Sequence, residues 1–446
     1  MTDPLLETQP NPPDSTYYLR AVTDMAERCA VVTQDAIYSA NGIKLVDKGA
    51  RIDSRLYDRL VQHKLRESID SHLSVENAVD AAALVSAAQE LMQNAPLVRM
   101  LAQSLNAPER LVAPLRSMPL VGPIAFKLTV MREQRPDLFL HSLQMTLVSL
   151  FLGIKSGMGE RECVPLAAAA LLHDLGVLHM APQWRDRKNK VTGAERKHLV
   201  AHPITAMLMV RDAQVYSPAV EVAVLEHHER MDGTGYPRGL VGEQISPMGR
   251  ILILAELVTA FYEKSTDLPA QQLSLVLRLN HRKFPAALVA HVLPLLQDGP
   301  GHDASEALPA GEQVGVMAHA LVESFQRWEQ ARAQLPGEAL SPDGTGPVAF
   351  LEMRLRALQK ALAEAGAHPD QQAGLIAQLQ DDAAGLAEVA FVIREGLWQL
   401  ENIVNGCQRR WPGVFERSLP ADRVVADWCD AVGALMPTLV AQAGQG

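Results

Sequence analysis

Apolar residues recur at helical spacing over most of this chain. From residue 109 to 298 the pattern predicts successive helices with short breaks, and no sustained period-two alternation of a half-buried strand. Helical periodicity returns over 348–440, as in FLEMRLRALQKALAEAG. Between these regions lies a Gly/Pro-rich linker stretch, 299–347, around one expected helix, VGVMAHALVESFQRWEQARAQ. The start of the chain is mixed. Residues 1–15 are rich in Pro and polar groups and predict a disordered tail. Over 16–108 the reading is a small α+β element followed by helix. Its short apolar runs are broken by Asn41-Gly42 and Lys48-Gly49, both turn signals. DSRLYDRLVQH reads as a helix capped by Asp53 or Ser54, and 74–106 as one long helix or two shorter ones. The fold class that follows is mostly α.

Composition sharpens this picture in three ways. At 446 residues the chain has room for two to four domains, and with 5% aromatic residues it leans on Ala and Leu, which favour helix. The formal net charge of −10 argues against a nucleic-acid duplex as partner, while a small anion remains admissible where basic groups cluster. Cys29, Cys163, Cys407 and Cys429 are widely spaced, with no Cys-x-x-Cys pair. They read as thiols of a reducing cytoplasm rather than a disulfide frame or zinc site. The N-terminus lacks the basic start and apolar run of a signal peptide. No stretch is expected to reach the ~20 apolar residues of a membrane span; VPLAAAALL is the longest candidate. The expectation is a cytoplasmic protein with no membrane partner.

The candidate chemistry is concentrated. Seven of the fourteen histidines fall between 141 and 228: His141, His173, His179, His198, His202, His227 and His228. Asp137 stands four residues before His141, so the two share a helix face. His198 and His202 have the same spacing. VPLAAAALLHDLG is apolar nearly all round, which implies burial, and ends in His173-Asp174 with Gly176 as a helix stop. VEVAVLEHHERMDG repeats the arrangement with His227 and His228. Burying imidazoles and carboxylates without partners is costly, and a divalent cation would satisfy them. A His-Asp dipeptide alone carries little: a second one, His302-Asp303, lies in a Gly/Pro-rich linker. Hydrogen-bonded pairs at helix ends are the bland alternative. Repetition within one helical region favours metal. The Asp-Gly-Thr-Gly-Tyr-Pro turn calls for glycine where the backbone takes positive φ, and by itself is only a tight turn.

HDLG at 173–176 and HHERMDGTGYP at 227–237 resemble the signature of HD-GYP domains, a bacterial branch of the HD phosphohydrolase superfamily. The resemblance covers 109–298. It extends to His141, to the His202-Pro203 step and to GRILILAEL at 249–257. It implies an all-helical domain binding two or three divalent ions, Fe or Mn favoured and Zn admissible, and hydrolysing cyclic di-GMP to pGpG, or on to GMP, through a metal-bridging hydroxide. The implied ligands are His141, His173, Asp174, His202, His227, His228 and Glu256. Asp137 stands where trinuclear members carry a glutamate. His173 and Asp174 form the defining pair, and Gly235, Tyr236 and Pro237 belong to the loop that names the family.

Four positions depart from the family pattern. Val177 replaces a lysine that meets the phosphate. Glu256 stands for an aspartate, and Asp137 for a glutamate. The basic segment expected after the last acid reads TAFYEKSTDLPAQQLS, with Lys264 its one cation. Arg250 and the run WRDRKNK (184–190) are candidate substitutes. Three readings stay open: a cyclic di-GMP phosphodiesterase, a degenerate module acting as messenger sensor or interaction domain, and a phosphohydrolase of another nucleotide. By family analogy, diguanylate cyclase domains are expected partners of the Tyr-Pro loop. The C-terminal helices offer a homodimer interface or a surface that docks on the catalytic domain.

Overall fold

The structure is a computed structural model, and it describes residues 16–181, 193–264, 269–296, 311–335, 346–364 and 383–443. The expected N-terminal tail, the basic run 184–190 and most of the linker stretch lie outside these residues. The chain divides into two compact units. One comprises Met1–Lys264 with Arg282–Leu295, the other Ser265–His281 with Leu296–Gly446.

The first unit begins with α1 (Thr16–Ala26) and four short strands. β1 (Val31–Thr33) pairs antiparallel with β4 (Leu73–Val75), and β2 (Ile37–Tyr38) with β3 (Lys44–Val46). Gly42 and Gly49 turn the chain at φ of 79° and 75°, backbone that side chains resist. The Asp53 carboxylate caps a 3-10 turn, accepting from the Arg55 and Leu56 amides, and α2 (Tyr57–Val61) follows. The helical stretch after it is two helices, α3 (Ala81–Asn94) and α4 (Pro96–Gln103). Pro96 starts the second because it cannot continue the first.

The remaining helices of this unit carry the candidate chemistry. They are α5 (Ala113–Ser117), α6 (Gly122–Gln134), α7 (Pro136–Lys155), α8 (Glu160–Leu172), α9 (Gly193–Asp212), α10 (Pro218–Glu226) and α11 (Pro247–Lys264). After α12 (Pro269–Leu279), which belongs to the second unit, α13 (Ala286–Val292) returns to the first. α7 is apolar around nearly its whole circumference and buried from Leu138 to Ile154 apart from Leu140 and Gln144. α8 opens with Glu162 accepting from the Gly159 amide at 2.8 Å. Its run of four alanines, Ala167–Ala170, is fully enclosed. These two stretches correct the sequence expectation about membrane spans. Pro136–Lys155 and Glu160–His179 are long and apolar enough to cross a bilayer by length and composition. They are core segments instead, 83% and 78% buried.

The second unit packs α12 with the helices Gly311–Arg332, Pro347–Glu364, Ala383–Arg410 and Pro420–Ala443. Its core is built on Leu321, Leu351, Leu362, Ile393, Leu400 and Val432. Trp328 meets Trp428 edge-on at 5.6 Å, and each indole N–H is satisfied, by Glu352 and by the Ser324 carbonyl.

Candidate metal centre

Five helices deliver polar side chains to one buried place in the first unit. α7 supplies His141 from its second turn. α8 ends at Leu172, so His173 and Asp174 project from its C-terminal end. α9 supplies His202, the end of α10 supplies His227 and His228, and α11 supplies Glu256. Two sets of donor atoms result. Asp174, His202, His227 and His228 form one, and His141, His173 and Glu256 the other; within each set the donors lie within 4.8 Å of one another.

The backbone fixes the proton positions on three of these rings. His173 Nδ1 lies 2.7 Å from the Ala170 carbonyl, and His227 Nδ1 2.6 Å from that of Val224. His202 Nδ1 faces the Leu199 carbonyl. A carbonyl only accepts, so each Nδ1 donates its N–H, and in the neutral ring Nε2 is left with a lone pair. At His173 and His227 the accepting carbonyl belongs to the last turn of a helix and has no helical partner. His202 lies inside α9, where Leu199 would normally bond the amide of residue 203. That residue is Pro203, which has no N–H, so the carbonyl is released for the imidazole.

The lone pairs converge. His202 Nε2 and His227 Nε2 stand 3.1 Å apart. Asp174 Oδ1 lies 3.1 Å from the first and 3.7 Å from the second. Asp174 Oδ2 is 3.5 Å from His173 Nε2, which is 3.6 Å from Glu256 Oε2. Among the described residues, His173 Nε2 and Asp174 Oδ1 are closed off from solvent and have no hydrogen-bond partner. Buried acceptors that face acceptors are explained by a shared cation. Imidazole nitrogens with carboxylate oxygens suit a divalent transition metal. The residues therefore fit such an ion, with the Asp174 carboxylate between the two donor sets.

The charge states of His227, His228, Asp174 and Glu256 agree with this assignment. Burial pushes His227 down to about 3, and the neighbouring His173 and His202 add to the shift. His228 is held well below its ordinary value by burial and by His227. Burial opposes ionisation of Asp174, but His173 and His202 outweigh it and hold the carboxyl well below the carboxylate range. Glu256 behaves in the same way beside His141. Burial disfavours charge on His141, yet Glu256 and Glu263 raise it to about 10.

The HHERMDGTGYP loop is pinned beside this cluster by two buried acids. Glu229 accepts from the Arg238 amide at 2.7 Å and the Leu240 amide at 3.0 Å. Glu226 accepts from the Arg238 guanidinium and from the Ser246 amide at 2.9 Å. Gly233 has φ of 76°, whereas Gly235 is needed for a different reason. A Cβ there would lie 2.3 Å from the Arg230 and Glu229 backbone. The Tyr236 ring lies against that of His228, with centroids 4.8 Å apart and planes tilted by 33°, and Pro237 follows it. Gly176 is likewise a spacing residue rather than the helix stop expected from the sequence. α8 has already ended, and a Cβ on Gly176 would come within 2.2 Å of the His202 carbonyl oxygen.

Other expected residues fall elsewhere. Asp137 is exposed in the first turn of α7 and outside both donor sets. Arg250 donates from Nε to the Ile245 carbonyl at 2.9 Å, bracing the start of α11. Val177 is fully buried in the 3-10 turn Leu175–His179, and its carbonyl accepts from Arg135 at 3.2 Å. His198 is exposed, and His179 stacks on Tyr18 at 4.7 Å. The Lys264 side chain lies outside the described residues.

Three residues near the site escaped sequence reasoning. Glu263 brackets His141 Nδ1 with both oxygens, at 3.0 and 3.1 Å. The signal was present: Glu256 and Glu263 are two helical turns apart and share a face. Glu229, the residue after the two histidines, anchors the loop. Arg230 lies over the Phe284 ring at 5.5 Å, and burial followed by the attraction of Glu256 and Tyr236 governs its charge.

Residues 128–279 match the family model described as an HD domain. A cyclic di-GMP phosphodiesterase of Borreliella burgdorferi is 29% identical over 142 residues, 31% of this chain and 37% of that protein. A 3'3'-cGAMP-specific phosphodiesterase of Vibrio cholerae is 31% identical over 27% of this chain and 26% of its own length. A cyclic di-GMP phosphodiesterase response regulator of Xanthomonas campestris is 32% identical over 26% of this chain and 31% of its own. The chain thus spans about a third of the length of these curated relatives. An HDG"Y"P protein from Bdellovibrio bacteriovorus aligns with 60% of this chain and 95% of its own, at a TM-score of 0.35 and 18% identity.

Proposed function

The chain is an HD-GYP domain protein, and on that premise we propose that it is a divalent-metal-dependent phosphodiesterase that opens cyclic di-GMP to pGpG. The observation that carries the proposal is the pair of opposed Nε2 atoms of His202 and His227, with Asp174 beside them. Asp174, His202, His227 and His228 would hold one ion, and His141, His173 and Glu256 a second. Bound divalent ions supply Lewis acidity toward a phosphate and lower the pKa of water.

The protein's own contribution is orientation and charge. The Nδ1 hydrogen bonds keep His173, His202 and His227 in the tautomer that offers Nε2 inward. Asp174 and Glu256, held ionised against burial, offset the charge of the ions. Hydrolysis adds water across one phosphodiester. The P–O3' bond breaks, the 3' oxygen takes a proton, and the new 5'-phosphate remains. This needs no side-chain nucleophile. Tyr236, packed on His228, borders the place where a guanine or ribose would enter. Val177 supplies no cation, and Arg230 is a half-buried guanidinium to which Glu256 and Tyr236 are attracted. The proposed compartment is the cytoplasm, in keeping with four free cysteines.

The test is anaerobic purification, loading with Mn(II) or Fe(II), and chromatography of cyclic di-GMP products, with 3'3'-cGAMP as a second substrate because one relative is named for it. Turnover of cyclic di-GMP supports the proposal, and preference for 3'3'-cGAMP transfers it to that substrate. Metal-loaded protein that turns over neither favours the sensor or interaction-module reading, which the valine at 177 also favours.

A further inference from the structure

We propose that Glu263 is a positioning residue: it holds the proton on His141 Nδ1 and so keeps the Nε2 lone pair of His141 directed at the ion shared with His173 and Glu256. The inference rests on the metal-centre reading above. It follows from a difference between His141 and three other histidines of the donor sets. His173, His202 and His227 each donate Nδ1–H to the carbonyl three residues earlier, freed by a helix end or by Pro203. His141 has no such recourse. It sits inside an uninterrupted stretch of α7, where the Leu138 carbonyl is engaged by the Ser142 amide in the helical ladder. An acceptor must come from another element.

Glu263 is that acceptor. It lies two turns beyond Glu256 on α11, so the same face carries both acids to His141. Its two oxygens lie 3.0 and 3.1 Å from Nδ1, while Glu256 Oε2 lies 3.1 Å from Nε2 on the other side of the ring. An imidazole held between these acids has its ring plane fixed, and with an ion at Nε2 the proton is left on Nδ1, where Glu263 accepts it. A carboxylate on the far nitrogen of a metal-bound histidine also increases its donor strength. The substituted segment TAFYEKS, which lacks the expected basic residues, therefore carries a residue with a task of its own.

The experiment measures Mn(II) binding to the full chain, as ions bound per chain and as a dissociation constant, so it does not depend on substrate or turnover. The parent is compared with E263Q, E263A, E263L and H141A. E263Q keeps an acceptor facing Nδ1. E263A removes it, and E263L removes it while keeping bulk, so the comparison survives if the alanine variant folds poorly. The expected result is a loss of about 10- to 100-fold in affinity for E263A and E263L, a stoichiometry approaching that of H141A, and substantial rescue in E263Q. Parent-like binding by E263A or E263L would overturn the inference, as would E263Q binding no better than E263L. If H141A itself binds Mn(II) as the parent does, the metal-centre reading falls and takes the inference with it. Failure to hydrolyse any cyclic dinucleotide, with these binding results intact, would count against the function alone.

Discussion

His202 Nε2 and His227 Nε2 face each other at 3.1 Å, each ring with its other nitrogen turned to a backbone carbonyl. Two acceptors at that separation are stable together when a cation lies between them. A bound ion should therefore stabilise the folded chain. At a free concentration one hundred times Kd the gain is about 2.7 kcal/mol. Thermal unfolding with and without a chelator should show the transition falling when metal is removed. In H202A and H227A the chelator-dependent part should shrink, since the first donor set loses a member, and an unchanged shift in those variants would remove them from the site.

Pro203 offers a test in which stability and binding move in opposite directions. Proline inside α9 costs the helix up to ~3 kcal/mol relative to alanine. In P203A the restored amide competes for the Leu199 carbonyl that His202 Nδ1 uses. The metal-free P203A variant should melt higher than the parent, while its Mn(II) affinity falls about tenfold. A variant both more stable and equally metal-binding would show that the released carbonyl does not matter.

Gly176 holds α9 close to the turn after His173-Asp174. A Cβ there lies 2.2 Å from the His202 carbonyl oxygen and 3.0 Å from the Ala206 amide nitrogen, both backbone atoms that cannot swing aside. G176A should lose about 1–3 kcal/mol or more of stability. It should also weaken metal binding, because His202 is displaced from Asp174. Denaturant unfolding and metal titration of the same sample check both parts.

His179 supplies a pH dependence away from the metal centre. Burial pushes it down to about 4, Lys127 and Arg135 contribute in the same direction, and Asp70 opposes them. Lys127 and Tyr18 both hydrogen-bond Asp70, and Tyr18 stacks on the His179 ring. The unfolded chain takes up this proton near 6.5 and the folded chain near 4. Between these values the unfolded state binds more protons, so stability falls as pH falls from 6.5 toward 4. The loss is about 3 kcal/mol from this residue. H179Q should lack that component, so the gap between parent and variant should narrow from pH 7 to pH 4. A constant gap would contradict the assignment.

Much of this was legible in the sequence because the relevant signals are local. Helical periodicity marked α7 to α11, and glycine pairs marked the turns at Gly42 and Gly49. The ends of apolar helices pointed to His173, Asp174, His227 and His228, which the structure brings together with His141, His202 and Glu256. What escaped depends on distance between elements. Nothing along the chain says that Glu263 will reach α7 while Asp137, one turn from His141, stays in solvent. Gly176 and Gly235 read as turn residues, because a close approach by another backbone segment leaves no mark in sequence. The apolar runs of α7 and α8 looked too short to resemble a membrane span when broken by single polar residues. Taken over the full stretches Pro136–Lys155 and Glu160–His179 they are apolar enough, and burial shows them to be core.

The central claim is that the histidine–carboxylate cluster hydrolyses a cyclic dinucleotide. The most direct measurement is cyclic di-GMP turnover by anaerobically prepared, Mn(II)- or Fe(II)-loaded protein, run beside a His173→Ala, Asp174→Ala double variant. The account predicts conversion to pGpG by the parent and loss of at least about a thousandfold in the variant, since both donor sets lose a member. Equal turnover by the two proteins, or none by a folded parent with metal bound, would contradict it.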